Sequence, residues 1–289
     1  MLREYHEKAY AKVNFNLRVL PKRTDGFHDI ESVFQTISLY DELIVTVQNE
    51  KKCTVVCDSM NLPMENTLTL AYKAFCEVVN FDVPGVIVKI NKGIPSGGGL
   101  GGGSADAAAL VRVLENICNL ELSDLQRDLI AEKTGSDVFF FMHCNSEGKG
   151  CALVSGRGEC VKMINSRNDL FLLLIFPGVS SSTKDAYSLV DSFLQRENKV
   201  KYPDFGELEA IYRQKPEEWV FINTFTCALC NKYDEIKSAL NALKYAGAEY
   251  CDMSGSGSTV FGVFTLEQQA MNISNLLCES WNCLLVQTL

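Results

Sequence analysis

Between residues 11 and 19 apolar and polar side chains alternate, with Ala11, Val13, Phe15, Leu17 and Val19 on one side and Lys12, Asn14, Asn16 and Arg18 on the other. A period of two predicts a strand with one polar face. Residues 32–39, 43–47 and 52–57 are also strand-like, and Asp25-Gly26 and Tyr40-Asp41 supply turn signals between them. The N-terminal region is therefore expected to be rich in β-structure.

The spacing becomes helical after Asn66, a candidate N-cap followed by Leu68, Ala71, Phe75 and Val78, and alternates again through Val86, Val88 and Ile90. A helical run covers 105–118, and Ser123 with Gln126 forms a capping box for a helix ending near Gly135. Beyond Gly158 the pattern predicts a buried strand over 169–176, helical stretches between Thr183 and Ala246, and a strand around 249–253. A strand over 260–264, a helix over 266–277 and a strand over 283–286 complete a β-α-β-like tail. The polar segment 165–168 suggests a division into domains 1–163 and 164–289.

Charge and composition narrow the class. Lys and Arg number 27 against 36 Asp and Glu, for a formal net charge of −9, and no basic block marks a nucleic-acid footprint. The longest apolar stretch, 170–176, is far shorter than the roughly 20 residues needed to cross a bilayer. The first residues are charged rather than apolar, so a soluble cytoplasmic protein with no membrane partner is expected. Twelve cysteines in such a chain predict reduced thiols with no required disulfide. Cys227 and Cys230 form a C-x-x-C, yet no second pair or nearby His completes a zinc set, and no metal ligands are expected.

The candidate chemistry lies between the alternating strand and the Ala-rich helical run, where six glycines fall within residues 97–103. Backbone amides without side chains can curl around an anion, and the positive end of a helix beginning near Ser104 would face the same site. A phosphate cradle is the physical reading; a linker or tight turn is the bland one. A Walker-type loop is excluded, because no lysine lies between Gly93 and Val111. Gly97, Gly99 and Gly102 formally match G-x-G-x-x-G, which makes a dinucleotide-binding oxidoreductase the rival. Against it, Glu121 follows no strand, and that fold normally begins with this unit.

The run Pro-x-Gly-Gly-Gly-Leu-Gly-Gly-Gly-Ser-Ala-Asp-Ala-Ala at 95–108 resembles the phosphate-binding loop of the galactose, homoserine, mevalonate and phosphomevalonate (GHMP) kinase superfamily. Ala11-Lys12-Val13-Asn14, Arg23-Thr24-Asp25-Gly26-Phe27-His28 and Thr134-Gly135-Ser136-Asp137-Val138 resemble the signature segments of its 4-diphosphocytidyl-2-C-methyl-D-erythritol kinase family. Met253-Ser254-Gly255-Ser256-Gly257-Ser258-Thr259-Val260-Phe261 resembles the superfamily's second glycine-rich motif, which shapes the active-site floor. The blocks occur in order between residues 9 and 264. Two positions depart from the pattern: Phe27 stands where the family has tyrosine, and Phe139 where it has proline.

The resemblance implies a two-domain α+β fold with the site in the interdomain cleft and an α/β-sandwich C-terminal domain. It implies ATP-dependent phosphorylation of the 2-hydroxyl of a cytidine-diphosphate-linked methylerythritol in the non-mevalonate isoprenoid route, with a homoserine- or mevalonate-type kinase as the alternative. Carried over residue by residue, Asp137 accepts the hydroxyl proton, Lys12 pairs with it, and Asn14 orients the substrate. Asn66, Lys92 and the loop residues Pro95, Ser96, Gly97, Gly98, Gly99, Leu100, Gly101, Gly102, Gly103, Ser104 and Ala105 fall to ATP, with Mg2+ beside Ser104. Phe27, His28, Thr183 and Tyr187 fall to the cytidine pocket, the two aromatic rings sandwiching the base and His28 reading its edge. Each also has an ordinary reading: a solvated strand face for Lys12 and Asn14, helix caps for Asn66 and Asp137, an exposed strand end for Lys92, core packing for Phe27 and Tyr187, and a surface position for His28.

Overall fold

The computed structural model describes residues 3–180, 182–196 and 200–289. The first alternating segment forms β1 (Glu4–Lys22), which pairs antiparallel with β2 (His28–Gln48) across a turn where Gly26 takes φ +88°. β2 is one long strand where the pattern predicts two. Asp41 does not reverse the chain: its buried carboxylate accepts the Gly93 and Ile94 amides at 2.7 and 2.8 Å. A register shift between Tyr10 and Lys12 absorbs the irregularity.

On its other edge β2 pairs antiparallel first with β5 (Cys151–Gly156) and further along with β4 (Gly85–Asn91). β3 (Cys53–Cys57) lies parallel to β4, and β6 (Cys160–Ile164) antiparallel to β5, giving a 6-stranded sheet. The helices of this half are α1 (Thr67–Val78), α2 (Gly102–Cys118), α3 (Asp124–Thr134) and α4 (Ser136–His143). The glycine-rich run joins β4 to α2. Because β4 is antiparallel to β2, this is not the doubly wound parallel sheet that a dinucleotide fingerprint requires, and the oxidoreductase alternative falls.

The second half has a 4-stranded sheet in the order β10-β7-β9-β8, with β7 (Phe171–Ile175), β8 (Tyr250–Met253), β9 (Val260–Phe264) and β10 (Cys283–Gln287) all antiparallel to their neighbours. Its helices are α5 (Thr183–Arg196), α6 (Leu208–Arg213), α7 (Thr224–Leu229), α8 (Asp234–Tyr245) and α9 (Glu267–Leu277). β7 sits between β9 and β10, so the tail is a split β-α-β unit.

Alternation on β1 now has a spatial meaning. Ala11, Val13 and Phe15 join Leu172, Leu174, Trp219 and Phe261 in one buried cluster to which both sheets contribute. Full burial of such side chains is worth about 1.5–3 kcal/mol each, so the halves share a core and the cleft between them has firm walls. The polar face of β1 is buried as well, with Lys12 at 3%, Asn14 at 1% and Asn16 at 1% exposure, which removes the solvated-face reading.

One cysteine expectation is corrected. Cys278, just past α9, and Cys283, opening β10, are joined in a disulfide with Cα atoms 5.5 Å apart. Reading all thiols as reduced weighed compartment and apolar setting, and overlooked the short turn that brings these two positions together. No described helix is long and apolar enough to cross a membrane.

Candidate active site

Gly97, Gly99 and Gly101 take φ of +72°, +77° and +72°, conformations that disfavour any side chain. Gly101 is the N-cap of α2, which therefore begins two residues ahead of Ser104. A Cβ on Gly99 would come within 2.0 Å of the Ser254 carbonyl oxygen, and one on Gly98 within 2.6 Å of Thr259 Oγ1. The glycines thus serve the approach of a second loop, 254–258, as well as exposing amides. Ser254 Oγ donates to Gly99 O at 2.9 Å, Thr259 N to Gly98 O at 3.3 Å, and Lys12 N to Leu100 O at 3.0 Å.

Two cavities meet at this loop. The larger, about 860 Å³, is walled by Lys12, Asn14, Phe27, His28, Asp137, Thr183, Tyr187 and the second loop; the smaller, about 320 Å³, by Asn66, Lys92 and the loop from Pro95 to Ser104. Gly97, Gly99 and Gly101 line both. Ala105 lines neither; it packs into the core as part of α2.

Beneath the loop, Lys12 Nζ lies 3.4 Å from Asp137 Oδ2, donates to Asn14 Oδ1 at 2.6 Å and to Gly99 O at 3.2 Å, and stands over the Phe34 ring. Asn14 in turn donates to Ser32 Oγ at 3.1 Å. Asp137 occupies the first turn of α4, where a carboxylate is favoured by the helix N-terminus; the N-cap itself is Gly135, so Asp137 does not cap the helix. A carboxylate that lines the cleft beside a buried ammonium is placed to accept a proton there.

The nucleotide-side expectation also gains partners that the sequence reading missed. Lys92 Nζ donates to Asp41 Oδ2 and, at 3.0 Å, to Asp106 Oδ2, so it is not an exposed strand end. Asp106 Oδ1 is buried without a partner. Burial raises the Asp106 carboxyl above its ordinary range; Lys92 opposes this and Asp41 adds to it. The available signals were an aspartate interrupting a strand pattern and another inside an Ala-rich helical run. Asn66 accepts the Leu68 and Thr69 amides at 3.0 and 3.2 Å, capping α1 while its residue lines the smaller cavity.

At the far end of the larger cavity, His28 stacks on Tyr187 with ring centroids 5.1 Å apart, and Phe225 meets Tyr187 edge-on at 4.9 Å. Both His28 nitrogens are engaged: Nδ1 donates to Leu20 O at 2.9 Å and Nε2 lies 3.2 Å from Asp191 Oδ1. Contact of this ring with a base edge would exchange the Asp191 contact. Phe27 is 51% exposed, with the Arg157 guanidinium 4.0 Å above its ring. Thr183 opens α5 and its Oγ1 lies 3.5 Å from Ser256 Oγ on the second loop. Lys22, Arg157, Lys184 and Asp191 also line the walls; composition alone gave them no distinction. Among the described residues no cluster of three or more His, Cys, Asp or Glu converges as a metal set.

Comparison with known proteins follows the same outline. The family model "GHMP kinases N terminal domain" matches residues 66–145, and "GHMP kinases C terminal" matches 204–283. The 4-diphosphocytidyl-2-C-methyl-D-erythritol kinase of Treponema pallidum (strain Nichols) is 37% identical over 281 residues, covering 95% of this chain and 94% of its own. A crystal structure of 4-(cytidine 5'-diphospho)-2C-methyl-D-erythritol kinase superposes with TM-score 0.78 at 27% identity, over 98% of this chain and 99% of that one. Homoserine kinase from Cytophaga hutchinsonii superposes with TM-score 0.74 at 17% identity over 100% and 96% of the two chains, a likeness of fold alone.

Proposed function

Since the chain belongs to the GHMP kinases and, within them, to the 4-diphosphocytidyl-2-C-methyl-D-erythritol kinase family, we propose that its cleft transfers the γ-phosphoryl group of ATP to the 2-hydroxyl of 4-diphosphocytidyl-2-C-methyl-D-erythritol. The observation that carries the reading is the buried Lys12 beside Asp137 at the foot of a glycine loop that walls two cavities.

ATP occupies the smaller cavity, its phosphates on the amides of residues 97–103 and at the N-terminus of α2. The acceptor occupies the larger one, its hydroxyl directed between Asp137 and the loop. Asp137 takes the hydroxyl proton, the acceptor oxygen bonds to the γ-phosphorus, and the bond from that phosphorus to the β-bridging oxygen breaks to release ADP. Lys12 offsets charge building on the acceptor oxygen beside Asp137; Asn14 orients Lys12 and the substrate. The hydroxyl of Ser104 and the unpartnered Oδ1 of Asp106 are oxygen ligands of the kind Mg2+ takes, and they would hold the ion that neutralises phosphate charge.

Charge supports a diphosphate-bearing acceptor. Lys12, Lys22, Arg157 and Lys184 line the larger cavity against Asp137 and Asp191, in a chain whose formal charge is −9. A locally basic cleft draws in polyanions. A homoserine- or mevalonate-type acceptor would leave most of about 860 Å³ unfilled. Turnover of ATP with the cytidine-linked acceptor, measured beside homoserine and mevalonate, tests the reading. Turnover with the first alone is expected; preference for either small alcohol would overturn it.

A further inference from the structure

We infer that Asn223 is a positioning residue, which sets the second glycine-rich loop against the first and, through it, the Lys12–Asp137 pair; the inference rests on the phosphoryl-transfer reading above. No motif singled out in the sequence covers this residue.

Asn223 is fully buried, and its side chain is fully committed. Nδ2 gives one hydrogen to Met253 O at 2.7 Å and the other to Gly255 O at 2.9 Å, while Oδ1 accepts the Phe225 amide at 2.9 Å at the start of α7. Its own amide donates to Asp252 Oδ2 at 2.9 Å. One side-chain amide spanning two carbonyls on either side of Ser254 fixes the curvature of the chain there. Ser254 is then presented to Gly99, with Oγ donating to Gly99 O at 2.9 Å, and Gly99 O also receives Lys12 Nζ at 3.2 Å.

The other side of Asn223 returns to the same lysine. Residue 223 bridges Leu17 in parallel, Leu17 N donates to Ile222 O at 3.1 Å, and Ile222 N donates to Asn16 Oδ1 at 3.1 Å. Asn16 lies on β1 with Asn14 and Lys12. The contacts therefore form a closed ring: β1 to 222–223, to 253–255, to Gly99, and back to Lys12. A ring of this kind holds the phosphate loop and the acceptor floor at one separation. Reacting groups displaced by about 1 Å can lose about 10²-fold in rate, so a residue touching neither substrate can govern turnover.

Asn223→Asp isolates the donation, because the carboxylate still accepts from Phe225 but faces the two carbonyls with no hydrogens to give. We expect kcat to fall about 10²-fold with ATP affinity retained and acceptor KM changed far less than kcat. Ser254→Ala should lower kcat in the wild-type background and add little in the Asn223→Asp background, since both act on one contact series. Thr226→Val removes a hydrogen bond to Asp252 in the same network without touching the loop, and should lower stability while leaving kcat unchanged. A folded Asn223→Asp enzyme with wild-type kcat, additive effects of the two loop variants, or an equal loss of kcat in Thr226→Val would overturn the assignment. If Asn223→Asp does not fold, Ser254→Ala alone decides, with unchanged kcat refuting it. Absence of turnover in the unmodified enzyme with the cytidine-linked acceptor would remove the underlying reading, and this inference with it.

Discussion

Lys12 and Asp137 meet at 3.4 Å but are unequally wet: the lysine side chain is 3% exposed and the aspartate 33%. Both side chains line the cleft, but the carboxylate is the more open of the two to what enters it. Asp137→Asn should therefore cut kcat by about 10²- to 10⁴-fold while the protein folds and binds ATP. Lys12→Ala should suppress kcat as well, through loss of the positive charge beside Asp137 and the acceptor oxygen. Single-turnover rates with separate ATP titrations check both; near-wild-type turnover in folded Asp137→Asn would sink the proton-acceptor role.

Gly101 couples the glycine-rich loop to that pair. Its φ is +72°, and a Cβ there would meet Lys12 Cγ and Phe141 Cε2, both at 3.1 Å. Gly101→Val adds a left-handed penalty of about 1–2 kcal/mol to this crowding, and it should weaken ATP binding and turnover together. Titration of the folded variant with unchanged ATP affinity would favour a plain turn over a phosphate cradle.

How far the sequence anticipates these findings depends on whether the signal is local. The β1 alternation, the N-cap at Asn66, the capping box at Ser123 and the glycine run are set within a few residues, and the corresponding strand, helices and loop form where expected. The family followed from motifs of the same kind. Tyr40-Asp41 misled because a turn-type residue was satisfied by partners 52 and 53 positions away, a separation no local pattern contains. Asp106, although part of the glycine-rich motif, Arg157 and Asn223 were given no role for the same reason: their partners come from other elements. Arg157 between Gly156 and Gly158 reads as turn chemistry until Phe27 is seen beneath it.

Lys92 is the cation that Asp41 and Asp106 share, and both carboxylates are nearly inaccessible. Lys92→Met keeps most of the stem but leaves two buried acids facing each other. Removing one partner of a buried ion pair is typically destabilising by about 3–5 kcal/mol, and a loss of that order is expected in denaturant unfolding. A loss below about 1 kcal/mol would place the pair in the class of weak surface bridges.

Asp252 gives a pH signature. Burial raises its carboxyl from 3.8 to about 6, against the lowering effect of hydrogen bonds from Thr226, Met253, Tyr250 and Asn223. A raised carboxyl binds its proton more tightly in the folded state. The stability it contributes is complete below its ordinary pKa and is lost as pH rises through about 6. The stability of the wild type relative to Asp252→Asn should therefore grow as the medium is acidified across that window. A difference independent of pH would remove Asp252 from the linkage.

The larger cavity, where the acceptor is proposed to bind, has two aromatic residues that are held differently. Tyr187 is backed by the His28 ring and by the edge of Phe225, whereas Phe27 is 51% exposed and touched on one face by Arg157. Stacking of a base on an aromatic face is worth about 1–3 kcal/mol, so either truncation should raise acceptor KM with little change for ATP. Only Tyr187→Ala should also lower the melting temperature, because only it leaves a packed neighbour unsupported. The absent phenol oxygen at Phe27 is immaterial to this role, since stacking uses the ring face; Phe27→Tyr should keep acceptor KM close to wild type. His28→Ala should reduce the preference for cytidine- over uridine-linked acceptors, because stacking tolerates both bases and hydrogen bonding distinguishes them. Equal use of both acceptors by the unmodified enzyme, or aromatic variants impaired only toward ATP, would refute the pocket.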